Sequence, residues 1–123
     1  MKIISTFNAP QAIGPYSQAV VIDNLIYTSG QIALKKDGTF LEGDIRSQTK
    51  QVLENLKLIL ESENSSLSKV IKTTVFLVDM NDFADLNQIY TDYFGDHKPA
   101  RSTVAVKTLP KNALVEIECV AHK

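Results

Sequence analysis

Val70-Ile71-Lys72-Thr73-Thr74-Val75-Phe76-Leu77-Val78 is the stretch that decides the fold. It is rich in β-branched residues, too long for a turn, and apolar at both its even and its odd positions, which predicts a central strand. On either side of it the period changes. Upstream, Ile45, Val52, Leu53, Leu56, Ile59 and Leu60 fall on one face of a helix ending near Glu63, with Asp44 placed to cap its amino terminus. Downstream, Asn81 or Asp82 opens a second helix in which Phe83, Leu86, Tyr90, Tyr93 and Phe94 form the buried stripe before Gly95 stops it.

Farther out, Ala19-Val20-Val21-Ile22 and Leu25-Ile26-Tyr27-Thr28-Ser29 read as antiparallel strands joined by Asp23-Asn24, a pair suited to left-handed backbone. Lys36-Asp37-Gly38 supplies a second turn, between short extended pieces around Ile32 and Phe40. Toward the other end Pro99 keeps the chain extended. Ser102 to Lys107 then reads as a strand, Leu109-Pro110-Lys111-Asn112 as a turn, and Leu114 to about His122 as the last strand. Strands, helix, strand, helix, two strands: this order predicts an α+β layer with both helices on one face of a mixed sheet. The strands are apolar on both sides, so the uncovered face calls for burial against copies of the chain.

A chain of 123 residues has room for one domain, taken as residues 1–123. With 44% apolar and 22% charged residues, it is excluded from the disordered and fibrous classes. A formal charge of −1 offers no global field for phosphate backbones, which argues against nucleic acid as a partner. Cys119 is the only cysteine and cannot form an internal disulfide; Met1 to Thr6 lacks a signal-peptide core, and no apolar run reaches bilayer length. The expected compartment is the cytoplasm.

Three clusters are candidates for chemistry. In Gly14-Pro15-Tyr16-Ser17 the Gly-Pro bend places a tyrosine that either completes a turn or lines a pocket wall with its hydroxyl. Thr28-Ser29-Gly30-Gln31 ends a strand with small donors and a glycine, either a plain strand end or an arrangement exposing N–H groups to an anion. Pro99-Ala100-Arg101-Ser102-Thr103 contains one of only two arginines, the other being Arg46. A guanidinium on a proline-stiffened segment suits a bidentate grip on a carboxylate, or else an ordinary surface salt bridge. On the last strand Glu116 and Glu118 point away from Val115, Ile117, Cys119 and Ala121. Such acids are usually solvated, but a partly buried Glu116 has a raised pKa and the means to take a proton from water. His97 and His122 are too few and too far apart for a metal site, and none is expected.

Together these pieces resemble the RidA (YjgF) family. The resemblance is carried by Ala12-Ile13-Gly14-Pro15-Tyr16-Ser17, Tyr27-Thr28-Ser29-Gly30-Gln31, Thr74-Val75-Phe76-Leu77 with Asn81-Asp82-Phe83, and most specifically by Pro99-Ala100-Arg101-Ser102. Val104, Lys107, Leu109-Pro110-Lys111 and Val115-Glu116-Ile117 follow at fitting separations. It implies a chorismate-mutase-like (Bacillus type) α+β fold and a homotrimer whose sheets form a central β-barrel, with three active sites in clefts between subunits. It also implies cofactor-independent hydrolysis of 2-imino and enamine acids, such as those from 2-aminoacrylate and 2-aminocrotonate, to 2-oxo acids and ammonia. By analogy Arg101 clamps the substrate carboxylate and Glu116 holds and activates water. Tyr16 and Ser29 shape the pocket, Gly30 allows close approach, and Thr103 stands among the substrate-binding residues where many relatives carry cysteine. The alternatives are a non-enzymatic trimer that binds a small carboxylate or a protein, and an endoribonuclease or translation inhibitor.

Overall fold

The last strand to be made is an interior strand of the sheet. The computed structural model of the chain describes residues 1–123. Its elements are β1 (Lys2–Ile4), β2 (Ala19–Ile22), β3 (Leu25–Thr28), α1 (Ile45–Glu61), β4 (Val70–Leu77), α2 (Phe83–Phe94), β5 (Ala100–Ala105) and β6 (Val115–His122). The six strands lie in the order β1-β2-β3-β6-β4-β5. All neighbours are antiparallel except β4 and β5, which run parallel because α2 carries the chain back between them.

The mixed sheet and two helices agree with the expected α+β class. In the β2–β3 hairpin Asp23 takes the left-handed region at φ 51°, and Gly38 at φ 90° turns the 36–38 loop. Asp44 caps α1 as expected, its carboxylate accepting from the Ser47 N–H at 2.9 Å. Three details differ. β1 was not foreseen, since three residues are too short to show a period. Ile89 joins the buried stripe of α2, while Phe83 and Tyr93, expected in it, are only partly buried. And β5 starts at Ala100, two residues before the expected Ser102, so Arg101 lies inside the strand, not at its approach. Backbone pairing with β4 overrides the lack of β-branched residues there.

One core of 24 buried residues joins both helices to one sheet face, with Leu53, Leu56, Ile59, Leu60, Val75, Leu77, Val115 and Ile117 wholly inaccessible. The other face is uncovered and presents the apolar Ile3, Ile22, Tyr27 and Val104 to solvent, beside Glu116, Glu118 and Lys72. α1 also buries polar groups that the apolar pattern does not reveal. The Asn55 amide donates to the carbonyls of Leu34 at 2.9 Å and Ile32 at 3.3 Å, and Gln48 accepts from the Leu114 N–H at 2.9 Å. These bonds fix the loop before α1 and the start of β6 to one helix face. Asn55→Ala should therefore cost about 1–3 kcal/mol, the penalty for leaving the Leu34 carbonyl unpaired, since the Ile32 carbonyl keeps the Leu34 N–H. Urea denaturation reads the change; a loss inside ~0.5 kcal/mol, the ordinary surface range, would show that Asn55 is not the tie.

Candidate active site

Glu116 is the second residue of β6, and the alternation of that strand turns it away from the core. It is half-buried against Gly30. A Cβ on Gly30 would lie 2.6 Å from Glu116 Oε2, 2.8 Å from Cδ and 3.0 Å from Cγ, so only glycine leaves room for this carboxylate. Gly30 was expected to let backbone approach a ligand; the space it frees is taken by the Glu116 side chain. Burial pushes the Glu116 carboxyl above its usual range, and the like charge of Glu118 pushes the same way. Glu116 lines a pocket of about 250 Å³ together with Tyr16, Gln31, Ile32, Pro110 and Lys111.

The pocket walls are held by backbone and amide bonds. Gln31 and Ile117 exchange N–H···O bonds of 2.9 and 3.1 Å, which anchors the segment after β3 to β6 beside Glu116. Gln18, almost fully buried, accepts from the Thr6 N–H at 2.7 Å and donates to the carbonyls of Thr6 and Pro10 at 3.0 and 2.8 Å. That amide folds the amino-terminal segment over the pocket. Tyr16 is half-exposed at the rim; its hydroxyl accepts from the Ile13 N–H at 3.4 Å, leaving the O–H proton for a ligand. Ser29 behaves differently. Its hydroxyl donates to the Ser17 carbonyl at 2.6 Å and its N–H to Gln18 at 2.9 Å, so it secures the wall and does not line the pocket.

Arg101 lies elsewhere in the chain. Its guanidinium donates to Asn87 Oδ1 at 2.8 Å and sits 4.8 Å from the Tyr90 ring centre and 5.3 Å from that of Phe83. Tyr90 is itself tied down, sharing a 2.8 Å hydrogen bond with Thr73. Phe83, Asn87 and Tyr90 follow at i, i+4 and i+7 on α2, so an asparagine inside an aromatic stripe was the legible signal for this cradle. Arg101 opens into a second pocket, of about 400 Å³, beside Asn87, His97 and Lys98. Thr103 lies on the same side of β5, and its hydroxyl is buried without a partner.

Within one chain the two candidate residues cannot meet. β4 pairs Thr73 with Arg101 and Phe76 with Glu116. Paired residues share a face and successive residues alternate, so positions 73 and 76 point to opposite sides. Arg101 therefore projects on the helix side and Glu116 on the open side. The histidines do not form a site: His97 Nε2 bonds the Val70 carbonyl at 2.7 Å, and no group of His, Cys, Asp and Glu has metal-binding geometry. Burial pushes the Cys119 thiol up to about 12, and it packs in the core.

Residues 6–123 match the family model described as endoribonuclease L-PSP. The chain belongs to the RidA (YjgF) family. Among its relatives, a RutC family protein of Pyrococcus horikoshii is 54% identical over 99% of this chain and 98% of its own length. The mouse 2-iminobutanoate/2-iminopropanoate deaminase is 48% identical over 98% of this chain and 90% of its own. Among solved structures, RidA from an Antarctic Psychrobacter superposes with a TM-score of 0.96 at 40% identity, covering all of both chains. E. coli TdcF, solved with bound serine, gives 0.95 at 42%, covering 100% of this chain and 99% of its own. No helix of this RidA-family chain is long and apolar enough to cross a membrane.

The raised pKa of Glu116 has a sign that can be tested. Folding favours its protonated form, so its contribution to stability is complete below the unfolded pKa and is lost as pH rises through the folded value. Glu116→Gln should match the wild type below about pH 4, under the ordinary glutamate range, and become the more stable of the two as pH rises. Thermal melts across pH read this; a gap that widens toward acid would mean that the fold stabilises the charged carboxylate.

Proposed function

We propose that this chain is a cofactor-independent deaminase that hydrolyses 2-imino acids, tautomers of enamine acids such as 2-aminoacrylate and 2-aminocrotonate, to 2-oxo acids and ammonia. The protonated imine carbon is already electrophilic, so the protein's work is to place a carboxylate, a water and a base. Glu116 takes a proton from water as the oxygen adds to C2. The tetrahedral adduct then loses its nitrogen as ammonia, the transferred protons leaving with it, and the carbonyl forms. A half-buried carboxylate whose pKa is raised by burial is suited to that exchange.

The observation that carries this reading is the division of the site between two faces. Arg101 is pre-oriented on the edge strand β5, while the pocket with Glu116 lies on the other side of the sheet. A homotrimer packed through the open apolar face brings the Arg101 of one subunit to the Glu116 pocket of the next, where its guanidinium takes the substrate carboxylate in a bidentate grip. Tyr16 offers its hydroxyl proton at the rim, Ser29 holds the wall, Gly30 seats Glu116, and Thr103 supplies a hydroxyl with no partner inside the chain. The name of the mouse relative supports the substrate class. The cytoplasm is the proposed compartment.

The test is to generate 2-aminoacrylate or 2-iminobutyrate in situ and follow release of the oxo acid. Arg101→Ala and Glu116→Gln should each lose ~100-fold or more in rate, the first as a positioning clamp and the second as a general acid–base group. Co-refolding the two inactive variants should restore part of the activity, because mixed trimers contain sites with both wild-type residues. No acceleration by the wild type, or full activity in Arg101→Ala, would overturn the reading; saturable carboxylate binding without turnover would favour a binding protein. Light scattering giving a monomer would remove the shared site.

A further inference from the structure

Lys111 lies in the turn between β5 and β6, on the wall of the pocket that contains Glu116. It is the only cation on that wall, and Glu116 is the only anion. Its ammonium has no salt-bridge or hydrogen-bond partner within the chain. Its backbone is unusual. Lys111 has φ 57° and ψ 24°, and Asn112 follows at φ 55°, two successive non-glycine residues in the left-handed region. Asparagine tolerates that region and lysine does not, so glycine would be the undemanding choice at 111. The turn is held closed by the Asn112 N–H to the Leu109 carbonyl and the Ala113 N–H to the Pro110 carbonyl, both 3.1 Å, with Ala113 fully buried. Strain kept at a pocket wall for a side chain with no structural partner points to a ligand.

The ligand's charge follows from the surroundings. Glu116 and Glu118 share the open face of β6, and the facing positions of β4 and β5 add only Lys72, paired with Val120 two residues beyond Glu118. An anionic substrate approaching Glu116 is repelled unless a cation offsets the carboxylates. We propose that Lys111 is a second substrate-binding residue, a mobile ammonium that meets the carboxylate of the 2-imino acid, and of the 2-oxo acid product, from within the Glu116 pocket. The inference rests on the deaminase reading of this pocket and deepens it: Arg101 would come from a neighbour, whereas Lys111 belongs to the same chain as Glu116.

Lys111→Gly is the decisive variant, because it relieves the backbone while removing the charged side chain. It should fold with an unchanged or raised Tm. KM for 2-iminobutyrate should rise about ten-fold with kcat nearly unchanged, and the Kd of 2-oxobutyrate, measured by NMR titration, should rise in parallel, the loss expected for one charge-assisted contact. Lys111→Arg should keep most of the affinity. A folded Lys111→Gly with wild-type KM and wild-type 2-oxobutyrate binding overturns the proposal and leaves the deaminase intact. If the wild type binds 2-oxobutyrate without turning over the imine, and Lys111→Gly loses that binding, the deaminase reading fails and the role of Lys111 stands. A wild type that neither binds nor turns over sinks both.

Discussion

The pleat of β6 is the constraint on which the rest of the molecule depends. Val115, Ile117, Cys119 and Ala121 must enter the core, which forces Glu116 and Glu118 onto the opposite face. A slip of one residue would bury two carboxylates and expose four apolar side chains, so the register is strongly specified. The β4 partner then carries the constraint across the sheet: once Phe76 faces Glu116, Thr73 must face the helices, and so must Arg101 beside it. The separation of Arg101 from Glu116 is thus a consequence of core packing, and no rotamer of either residue can undo it. The same rule puts apolar side chains on the open face, because β2, β3 and β4 send alternate residues there while the others fill the core, and β5 adds Val104.

Rigidity around the pocket comes from amides more than from apolar contact. Gln18, Gln31, Gln48 and Asn55 are all buried, and each spends its side chain or backbone on a segment that lacks regular structure of its own. Buried amides are costly when unpaired, so satisfying them selects one loop conformation out of many. The loops from 5 to 18 and from 29 to 44 gain a fixed shape without strands or disulfides to impose it. Glu116 is thereby held beside Gly30 in a setting that stays partly dry.

Much of this was legible before any coordinates. The helices were readable because their apolar stripes are long and capped, Asp44 and Gly95 marking two of the ends. The β2–β3 hairpin was readable from its turn, and β6 from its strict alternation. β1 was not, since three residues carry no period, and the start of β5 was misplaced because pairing with β4, a non-local contact, decides it. Strand parity reads the side of the sheet on which Glu116 lies, and the Gly-Pro bend reads the turn that carries Tyr16. Ser29 was assigned to the pocket because a side chain's hydrogen-bond partner twelve residues away is invisible locally. Lys111 reads as part of a turn and of the family signature, and its left-handed backbone is not legible, because the sign of a φ angle cannot be read from a lysine.

The cradle of Arg101 shows why arginine, scarce in this chain, stands at this position. A lysine there would place one rotating ammonium against Asn87 and leave the aromatic rings without a planar partner. Guanidinium spends one donor on Asn87, stacks near Phe83 and Tyr90, and retains further donors in a fixed fork. Tyr90 is held in turn by Thr73, so the orientation is set from within the core. The entropy of fixing a long side chain has been met by folding, before any ligand arrives. An edge strand bearing such a pre-set fork has the donor geometry that a planar carboxylate requires, and the core packing that fixes it is the same packing that keeps it on the face opposite Glu116.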